Sequence, residues 1–342
     1  MRFQRTLAAV VFAAFMLAGT VALAADKKEI RWASSRVGSS GHRAITNLTE
    51  VIGPSLPQYS FTVMPTPGAI VTVKGYATEQ FEGYYGSDVG FYELKYDINR
   101  FKNFKEKMKR QPVQSFWTFT IEMGVGIHAR DKGNIKSWGD LSGKVVFTGP
   151  RPWDTRAQLE RAFEALGVKH EYIEVSTSTA GSLLEGGRFV AFGVYTNAEA
   201  TTAPWITEAS FQTDWAALSP SASEIDTLKA KGFNPVSIPT KAFGKKSTHV
   251  DQVTMVPFFY GLHLGLEISE DEMYRILKVI ESKKDELAKA DKTFKQIAAD
   301  MPLMQRRGVE SSYNLVPIHP GLAKYMREKG VWDKKWDQYV AK

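Results

Sequence analysis

Residues 144–167 read KVVFTGPRPWDTRAQLERAFEALG and predict one strand, one loop and one helix in succession. The β-branched run Lys144–Thr148 is typical of a strand, and the Gly-Pro-Arg-Pro sequence after it is typical of a loop. Asp154 is a suitable N-cap for a helix whose apolar residues repeat through Leu159–Leu166, and Gly167 is a suitable C-terminal stop. Such strand–loop–helix units build α/β folds with parallel sheets.

The same succession recurs on both sides of this unit. Glu29–Ala33 predicts a strand, apolar residues then repeat at helical spacing through Ala44–Ile52, and Tyr59–Met64 predicts a further strand. Phe189–Tyr195 continues the pattern downstream. The sequence therefore predicts an α/β fold with mixed, mostly parallel sheets flanked by helices.

The length of the chain predicts two lobes, since about 318 residues after a leader exceed what one hydrophobic core comfortably holds. We expect strands to cross between the lobes, outward within Phe116–Arg130 and back within about Val236–Leu264. Lobe I would then comprise residues 25–122 and 240–342, and lobe II residues 123–239. Ligands of such proteins bind in the cleft where strand ends and helix N termini of both lobes converge.

The first residues of the chain have the features of an export signal. Arg2 and Arg5 form a cationic start, and a nearly unbroken apolar run, Leu7–Leu23, follows them. Small residues at alternate positions then predict cleavage near Ala24, so that residues 1–24 form a signal peptide. We expect cleavage rather than a retained membrane anchor, and we expect the mature protein in the periplasm.

Composition argues against several classes of site. The chain has no cysteine, which excludes disulfides, thiolate nucleophiles and cysteine-based zinc or iron–sulfur centres. The six histidines lack zinc-site spacing, and no Gly-x-Ser-x-Gly elbow is present. The formal net charge of +7 is mixed along the chain, and the basic stretch Lys95–Arg110 is interpreted as a solvated face or a docking patch. We therefore expect a monomer that is not an enzyme and that binds no cofactor, metal or nucleic acid.

Three polar loops each precede a predicted helix, namely Ser34–His42, Thr66–Ala69 and Gly149–Thr155. Free helix N-terminal amides and small hydroxyls are suitable receptors for a carboxylate. In a two-lobed α/β fold, these loops are expected to meet in one cleft.

Several segments match the landmarks of one family in order and spacing: Ser34–Gly41, Thr66–Ala69, Ser87–Val89, Ile135–Val145 with Gly149-Pro150, and His319–Gly321. Together they resemble the TAXI class of solute-binding proteins, which serve tripartite ATP-independent periplasmic (TRAP) transporters. The resemblance implies a type II periplasmic-binding-protein fold that closes on a small organic solute, such as a carboxylate or an amino acid. It also implies delivery of that solute to an integral-membrane TRAP permease. A binding protein of another importer or a sensor, and a periplasmic enzyme, are the alternatives.

The chain departs from the family after Gly149-Pro150, where Arg151–Arg156 replaces the usual small residues. In one interpretation, Arg151 or Arg156 binds the carboxylate of the solute bidentately, and Trp153 forms an aromatic wall beside it. In the other, Asp154 caps the helix and both arginines are solvated. Aromatic residues near the loops favour a solute with an apolar or ring portion. The candidate ligand-binding residues are Ser34, Ser35, Ser39, Ser40, His42, Thr66, Gly68, Tyr85, Ser87, Arg151, Trp153, Thr155, Arg156, Tyr195 and Thr196.

Overall fold

The computed structural model describes residues 27–244 and 248–342, so the predicted signal peptide lies outside the described residues. These residues form an 11-stranded mixed sheet flanked by helices. The strands are β1 (Lys28–Ser34), β2 (Tyr59–Pro65), β3 (Gly83–Ser87), β4 (Trp117–His128), β5 (Val145–Phe147), β6 (Glu171–Tyr172), β7 (Ala191–Asn197), β8 (Thr201–Thr202), β9 (Trp215–Leu218), β10 (Val236–Pro239) and β11 (Gln252–Leu264).

The helices pack on both faces of this sheet. They are α1 (Ser40–Ile52), α2 (Ala69–Ala77), α3 (Asp88–Tyr96), α4 (Asp154–Leu166), α5 (Ala180–Glu185), α6 (Pro204–Gln212), α7 (Ala222–Ala230), α8 (Glu270–Ser282), α9 (Lys284–Ala290), α10 (Lys295–Ser312) and α11 (Pro320–Glu328). In the described part of the chain, none of them is long and apolar enough to cross a membrane.

The sheet has two halves with equivalent strand orders. One half runs β2-β1-β3-β11-β4, and the other runs β6-β5-β7-β4 with β9 also paired to β4. In the first half, β2, β1 and β3 are parallel and β11 is antiparallel to β3. In the second half, β6, β5 and β7 are parallel and β4 is antiparallel to β7. The predicted two-lobed α/β architecture is therefore confirmed.

The two lobes are joined by β4 and β11, which pair with each other in antiparallel register from Met123–Val256 to Trp117–Gly261. The beginning of β4 pairs with β11, and its end pairs with β7 and β9. The predicted joining by crossing strands is thus confirmed, whereas the lobe boundaries near residues 122 and 239 stay a prediction.

The crossing region is anchored by α10, which packs on the first residue of β4. Gln305 donates from Nε2 to the carbonyl of Trp117 at 2.7 Å and accepts from its amide at 2.8 Å. Gly308 lets the helix approach the indole, because a methyl group there would lie 2.1 Å from Cγ of Trp117. The fully buried Trp117 is thereby held by both polar and steric contacts.

We predict that Gly308→Ala lowers the free energy of unfolding by about 1–3 kcal/mol, since overpacking against Trp117 outweighs the better helix propensity of alanine. Gly133→Ala is the matched control, because a methyl group there meets no atom within 4 Å. It should change the free energy by less than about 1 kcal/mol. Urea unfolding measures both, and equal effects of the two substitutions would contradict the packing account.

Candidate functional site

A small cavity lies between the lobes, near the carboxyl ends of β1, β3, β5 and β7. Its volume is about 20 Å³, enough for about one water molecule. The lining residues are Ser35, Ser39, Ser40, Gly41, Ala69, Tyr85, Ile121, Trp153, Asp154, Thr155, Tyr195 and Tyr260. All three polar loops singled out in the sequence contribute to this lining, and contact of their residues with a solute stays a prediction.

Helix α1 begins at the cavity and supplies its polar side. Ser39 caps the helix, and its Oγ accepts from the amide of His42 at 3.2 Å. The next two amides, of Ser40 and Gly41, have no partner within the helix because they belong to its first turn. Oγ of Ser40 accepts from Nδ2 of the buried Asn197 at 3.0 Å, and Oδ1 of Asn197 has no partner among the described residues.

Four sequence-predicted residues shape the loops behind this lining. Oγ of Ser34 lies 3.0 Å from Nδ1 of His42, and burial lowers the pKa of that imidazole. Oγ1 of Thr66 donates to the carbonyl of Ser34 at 2.9 Å. Gly68 lies against the opposite lobe, because a methyl group there would be 2.9 Å from the carbonyl oxygen of Pro152.

Aromatic side chains form the remaining walls. The rings of Tyr85 and Tyr260 stack with centroids 3.9 Å apart, and burial raises the pKa of both phenols. Trp153 donates from Nε1 to the carbonyl of Pro67 at 3.1 Å, which adds a contact between lobes. Burial raises the pKa of Tyr195 to about 12, so its hydroxyl is neutral at physiological pH.

Asp154 does not cap α4, contrary to the prediction from sequence, because the helix begins at Asp154 itself and Trp153 occupies the N-cap position. Its carboxylate, 1% exposed, is instead bound by residues outside lobe II. Ser87 donates to Oδ2 at 2.5 Å, Tyr260 donates to Oδ2 at 2.8 Å, and Arg100 donates to Oδ1 at 2.7 Å. Asp154 therefore connects lobe II to lobe I and to the crossing strand β11.

Arg100 also holds a second carboxylate on its own lobe. It donates from Nε to Glu93 at 2.7 Å, and its Nη2 is buried without a partner among the described residues. Burial is the main influence on Glu93 and raises the pKa of its carboxyl. The basic stretch Lys95–Arg110 is thus not uniformly a solvated face, since Arg100 points into the lobe interface and balances Asp154 there.

The two arginines of the divergent loop do not reach the cavity. Nε of Arg151 lies 3.5 Å from Glu174, and the side chain is 73% exposed. Arg156 pairs with Glu160 at 3.2 Å, and both guanidinium groups lie over the ring of Tyr172. The proposed bidentate binding of a solute by either arginine is therefore not supported, because each already has a carboxylate and an aromatic partner.

Thr196 faces away from the cavity and binds Glu122, a buried acid on β4. Thr196 donates to Oε2 of Glu122 at 2.6 Å, the amide of Glu199 donates at 3.0 Å, and the hydroxyl of Thr120 donates to Oε1. Burial nevertheless raises the pKa of Glu122 to about 8. This carboxyl lies next to the cavity-lining Ile121 on a crossing strand, and the sequence pattern did not identify it.

The described residues contain no group of three or more His, Asp or Glu side chains that could hold a metal ion. The cavity instead offers hydroxyls, helix amides, aromatic rings and one paired carboxylate. This set can bind and orient a small polar molecule through hydrogen bonds and ring contacts.

Comparison with known proteins gives one family match. The profile described as the NMT1-like family matches residues 93–330. No curated protein matches the sequence.

Several solved structures are similar to this chain. A periplasmic transporter is 14% identical, with a TM-score of 0.49 over 85% of this chain and 99% of that one. The ligand-binding component of an ABC-type import system from Staphylococcus aureus is 10% identical, with a TM-score of 0.46 over 92% and 97%. The periplasmic aliphatic sulphonate binding protein SsuA from Escherichia coli is 10% identical, with a TM-score of 0.44 over 92% and 98%.

We predict that Asp154→Asn favours a more open arrangement of the lobes, because the uncharged amide no longer balances Arg100 across the interface. The free energy of unfolding should fall by about 1–3 kcal/mol. The chain has no native cysteine, so spin labels at Glu50→Cys and Asp226→Cys, both exposed, measure the distance between lobes by pulsed EPR. The expected result is a longer or broader distance distribution.

Asp271→Asn is the control for this experiment, since Asp271 pairs with Lys324 on the exposed surface. The control should retain the distance distribution of the unsubstituted protein. An unchanged distribution in Asp154→Asn would show that the carboxylate does not hold the lobes together.

We predict that Glu122→Gln removes part of the pH dependence of stability. The folded pKa of about 8 lies above the ordinary value of 4.5, so the native state binds more protons than the unfolded state between these values. The free energy of unfolding of the unsubstituted protein therefore falls as pH rises through this window. The slope of the substituted protein should be less negative by up to about 1.4 kcal/mol per pH unit.

Urea unfolding at several pH values between about 5 and 8 checks this prediction. Other groups that titrate in the window are common to both proteins and cancel in the comparison. Glu106→Gln, on the exposed surface, is the control and should give a curve parallel to that of the unsubstituted protein. A parallel curve for Glu122→Gln would contradict the raised pKa.

Proposed function

The chain belongs to the NMT1-like family, and we propose that it is a periplasmic receptor that captures a small organic solute between its two lobes. The solute is a carboxylate or an amino acid, and the receptor delivers it to an integral-membrane TRAP permease, as the resemblance to the TAXI class implies. The observation that carries the proposal is the cavity at the strand ends, where polar loops of both lobes meet.

The start of α1 is the place for the carboxylate of the solute. The free amides of Ser40 and Gly41, with the hydroxyls of Ser35, Ser39 and Ser40, supply donors at the positive end of a helix. The start of α4 is unsuitable for an anion, because the carboxylate of Asp154 already lies there. The charge distribution of the cavity thus favours one orientation of an anionic group.

The aromatic walls suit the remainder of the solute. Tyr85, Trp153 and Tyr195 present ring faces and edges beside the polar side. Rings of this kind contribute large contact areas and keep polar tips available for hydrogen bonds. A solute with an apolar or ring portion is therefore favoured over a compact, fully polar dicarboxylate.

Binding requires the lobes to separate, since a volume of about 20 Å³ accommodates one water molecule and no organic solute. Separation breaks the ion pair between Asp154 and Arg100 and the hydrogen bond from Trp153 to Pro67. The crossing strands β4 and β11 are the elements that link the lobes and can bend, as in hinge closure. Solute contacts then offset the cost of separating these groups.

An enzymatic function has one apparent candidate pair, Ser34 and His42, whose Oγ and Nδ1 are 3.0 Å apart. Ser34 is fully buried and does not line the cavity. His42 has no carboxylate partner among the described residues that could orient it as a general base. The pair therefore lacks the accessible nucleophile and the oriented base that nucleophilic catalysis needs.

We predict that native protein, isolated from its own periplasm, retains a small organic acid or amino acid that mass spectrometry identifies. The same compound should raise the melting temperature of stripped protein, because a ligand of the folded state stabilises it. Ser40→Ala should weaken binding about tenfold through loss of one hydroxyl. Ser55→Ala, at an exposed position, should bind as the unsubstituted protein does.

Two results would contradict the proposal. One is failure of every compound in a library of organic and amino acids to raise the melting temperature, together with nothing retained from the periplasm. The other concerns the partner: uptake into vesicles that contain the permease should follow an ion gradient without ATP, and an ATP requirement would assign the receptor to another importer.

A further inference from the structure

A second concave site, here called the arginine groove, lies where α3, α4, β11 and α10 meet. Its volume is about 600 Å³, which is in the range of sites for small organic ligands. The residues that define it are Tyr92, Arg161, Phe233, Phe259, Arg306 and Arg307. The groove shares no lining residue with the interlobe cavity.

The three arginines of the groove lack the carboxylate partners that several other arginines of the described residues have. Arg161, Arg306 and Arg307 form no ion pair with a carboxylate among the described residues, whereas Arg31 pairs with Glu82 and Arg110 pairs with Glu267. Their guanidinium groups are therefore available to an external anion. Planar guanidinium groups bind carboxylates and sulfonates through paired hydrogen bonds.

Aromatic rings lie directly beside these cations. The guanidinium of Arg161 is 5.3 Å from the ring centroid of Tyr92 and 5.8 Å from that of Phe233. The guanidinium of Arg307 is 5.5 Å from the ring centroid of Phe259. Contacts of this kind hold the cations in place and leave their outer hydrogen-bond donors free.

The groove also exposes apolar surface that a bound molecule could cover. Leu303 is 46% exposed and Tyr92 is 40% exposed, and Pro257 and Phe259 line the same groove. Exposed apolar side chains that cluster beside unpaired cations match a ligand with an apolar body and an anionic group.

The acids of the groove are already engaged. Asp88 accepts from the amides of Val89 at 2.8 Å and Phe259 at 3.2 Å. Glu310 pairs with Lys335 at 2.8 Å. Burial raises the pKa of Asp88 to about 7, and the nearby charge of Arg161 opposes that shift. The groove keeps an excess of positive charge, because its two acids are outnumbered by four lining cations, Arg161, Lys231, Arg306 and Arg307.

We propose that the arginine groove is a second binding site, which takes an organic anion with an aromatic or short aliphatic body. The carboxylate or sulfonate is held by Arg161, Arg306 and Arg307, and the apolar body covers Phe259 and Leu303. Arg161 lies on α4 of one lobe, and Arg306 and Arg307 lie on α10, which packs on the other. A ligand that contacts both helices therefore favours the closed arrangement of the lobes.

Isothermal titration with 2-naphthoate tests this site, with uncharged 2-naphthamide as the matched probe. We expect the acid to bind and the amide to bind at least about tenfold more weakly, because the amide lacks the charge. The double substitution Arg306→Gln with Arg307→Gln should weaken 2-naphthoate binding at least about tenfold. Arg275→Gln, an exposed arginine on α8 outside the groove, should leave it unchanged.

Two further measurements identify the site and its coupling. Ser40→Ala removes a cavity hydroxyl, so it weakens any 2-naphthoate binding in the cavity, whereas the binding that depends on Arg306 and Arg307 should remain unchanged in this variant. In the protein with spin labels at positions 50 and 226, 2-naphthoate should shift the distribution of distances between the labels toward shorter distances.

The proposal is overturned if 2-naphthoate fails to bind, if the amide binds equally well, or if the double substitution has no effect while circular dichroism shows a folded protein. It is also overturned if Ser40→Ala weakens 2-naphthoate binding and the double substitution does not, since the anion would then occupy the cavity. These results leave the proposed solute function untouched, because that function is tested on other residues.

Discussion

The antiparallel pairing of β4 with β11 is the constraint on which the rest of the molecule depends. One half of the sheet ends on β11 and the other ends on β4, so the pairing of these two strands joins both halves into one continuous sheet. All twelve residues of β4 are buried, and the bonds from Gln305 to Trp117 fix the strand to α10. The hinge motion that the proposed function requires would therefore have to bend this continuous ladder.

A buried carboxylate then determines how the lobes meet. A charge removed from water must be paired and hydrogen-bonded, and Asp154 finds all its partners outside its own lobe. Arg100 is in turn shared with Glu93 of its own lobe. The protein thus carries in its own chain an anion that occupies one helix start in the cleft, which is why the proposed function assigns the carboxylate of the solute to the start of α1.

The architecture and the convergence of the loops could be predicted from the sequence, because strand–loop–helix order and the rule for strand ends are local and general. The strand within Lys144–Thr148 and the end of the following helix at Gly167, which has a left-handed backbone conformation, were predicted for the same reason. The ion pair of Asp154 could not be predicted, since Arg100 is 54 residues away and lies in a stretch that also contains several exposed lysines. The sequence left two roles open for Arg151 and Arg156, because it could not show that the ring of Tyr172 lies under both guanidinium groups.

Gly68 has a consequence for how affinity can change in such a receptor. Its backbone is extended, a conformation open to any residue, so the requirement for glycine is one of space: a side chain there would meet the carbonyl of Pro152 and the indole of Trp153 at 2.9 Å. The absence of a side chain at position 68 therefore allows the close contact between the two lobes. In the proposed function, a larger residue at position 68 would hold the lobes farther apart and so change the dissociation constant of the solute through the geometry of the closed state.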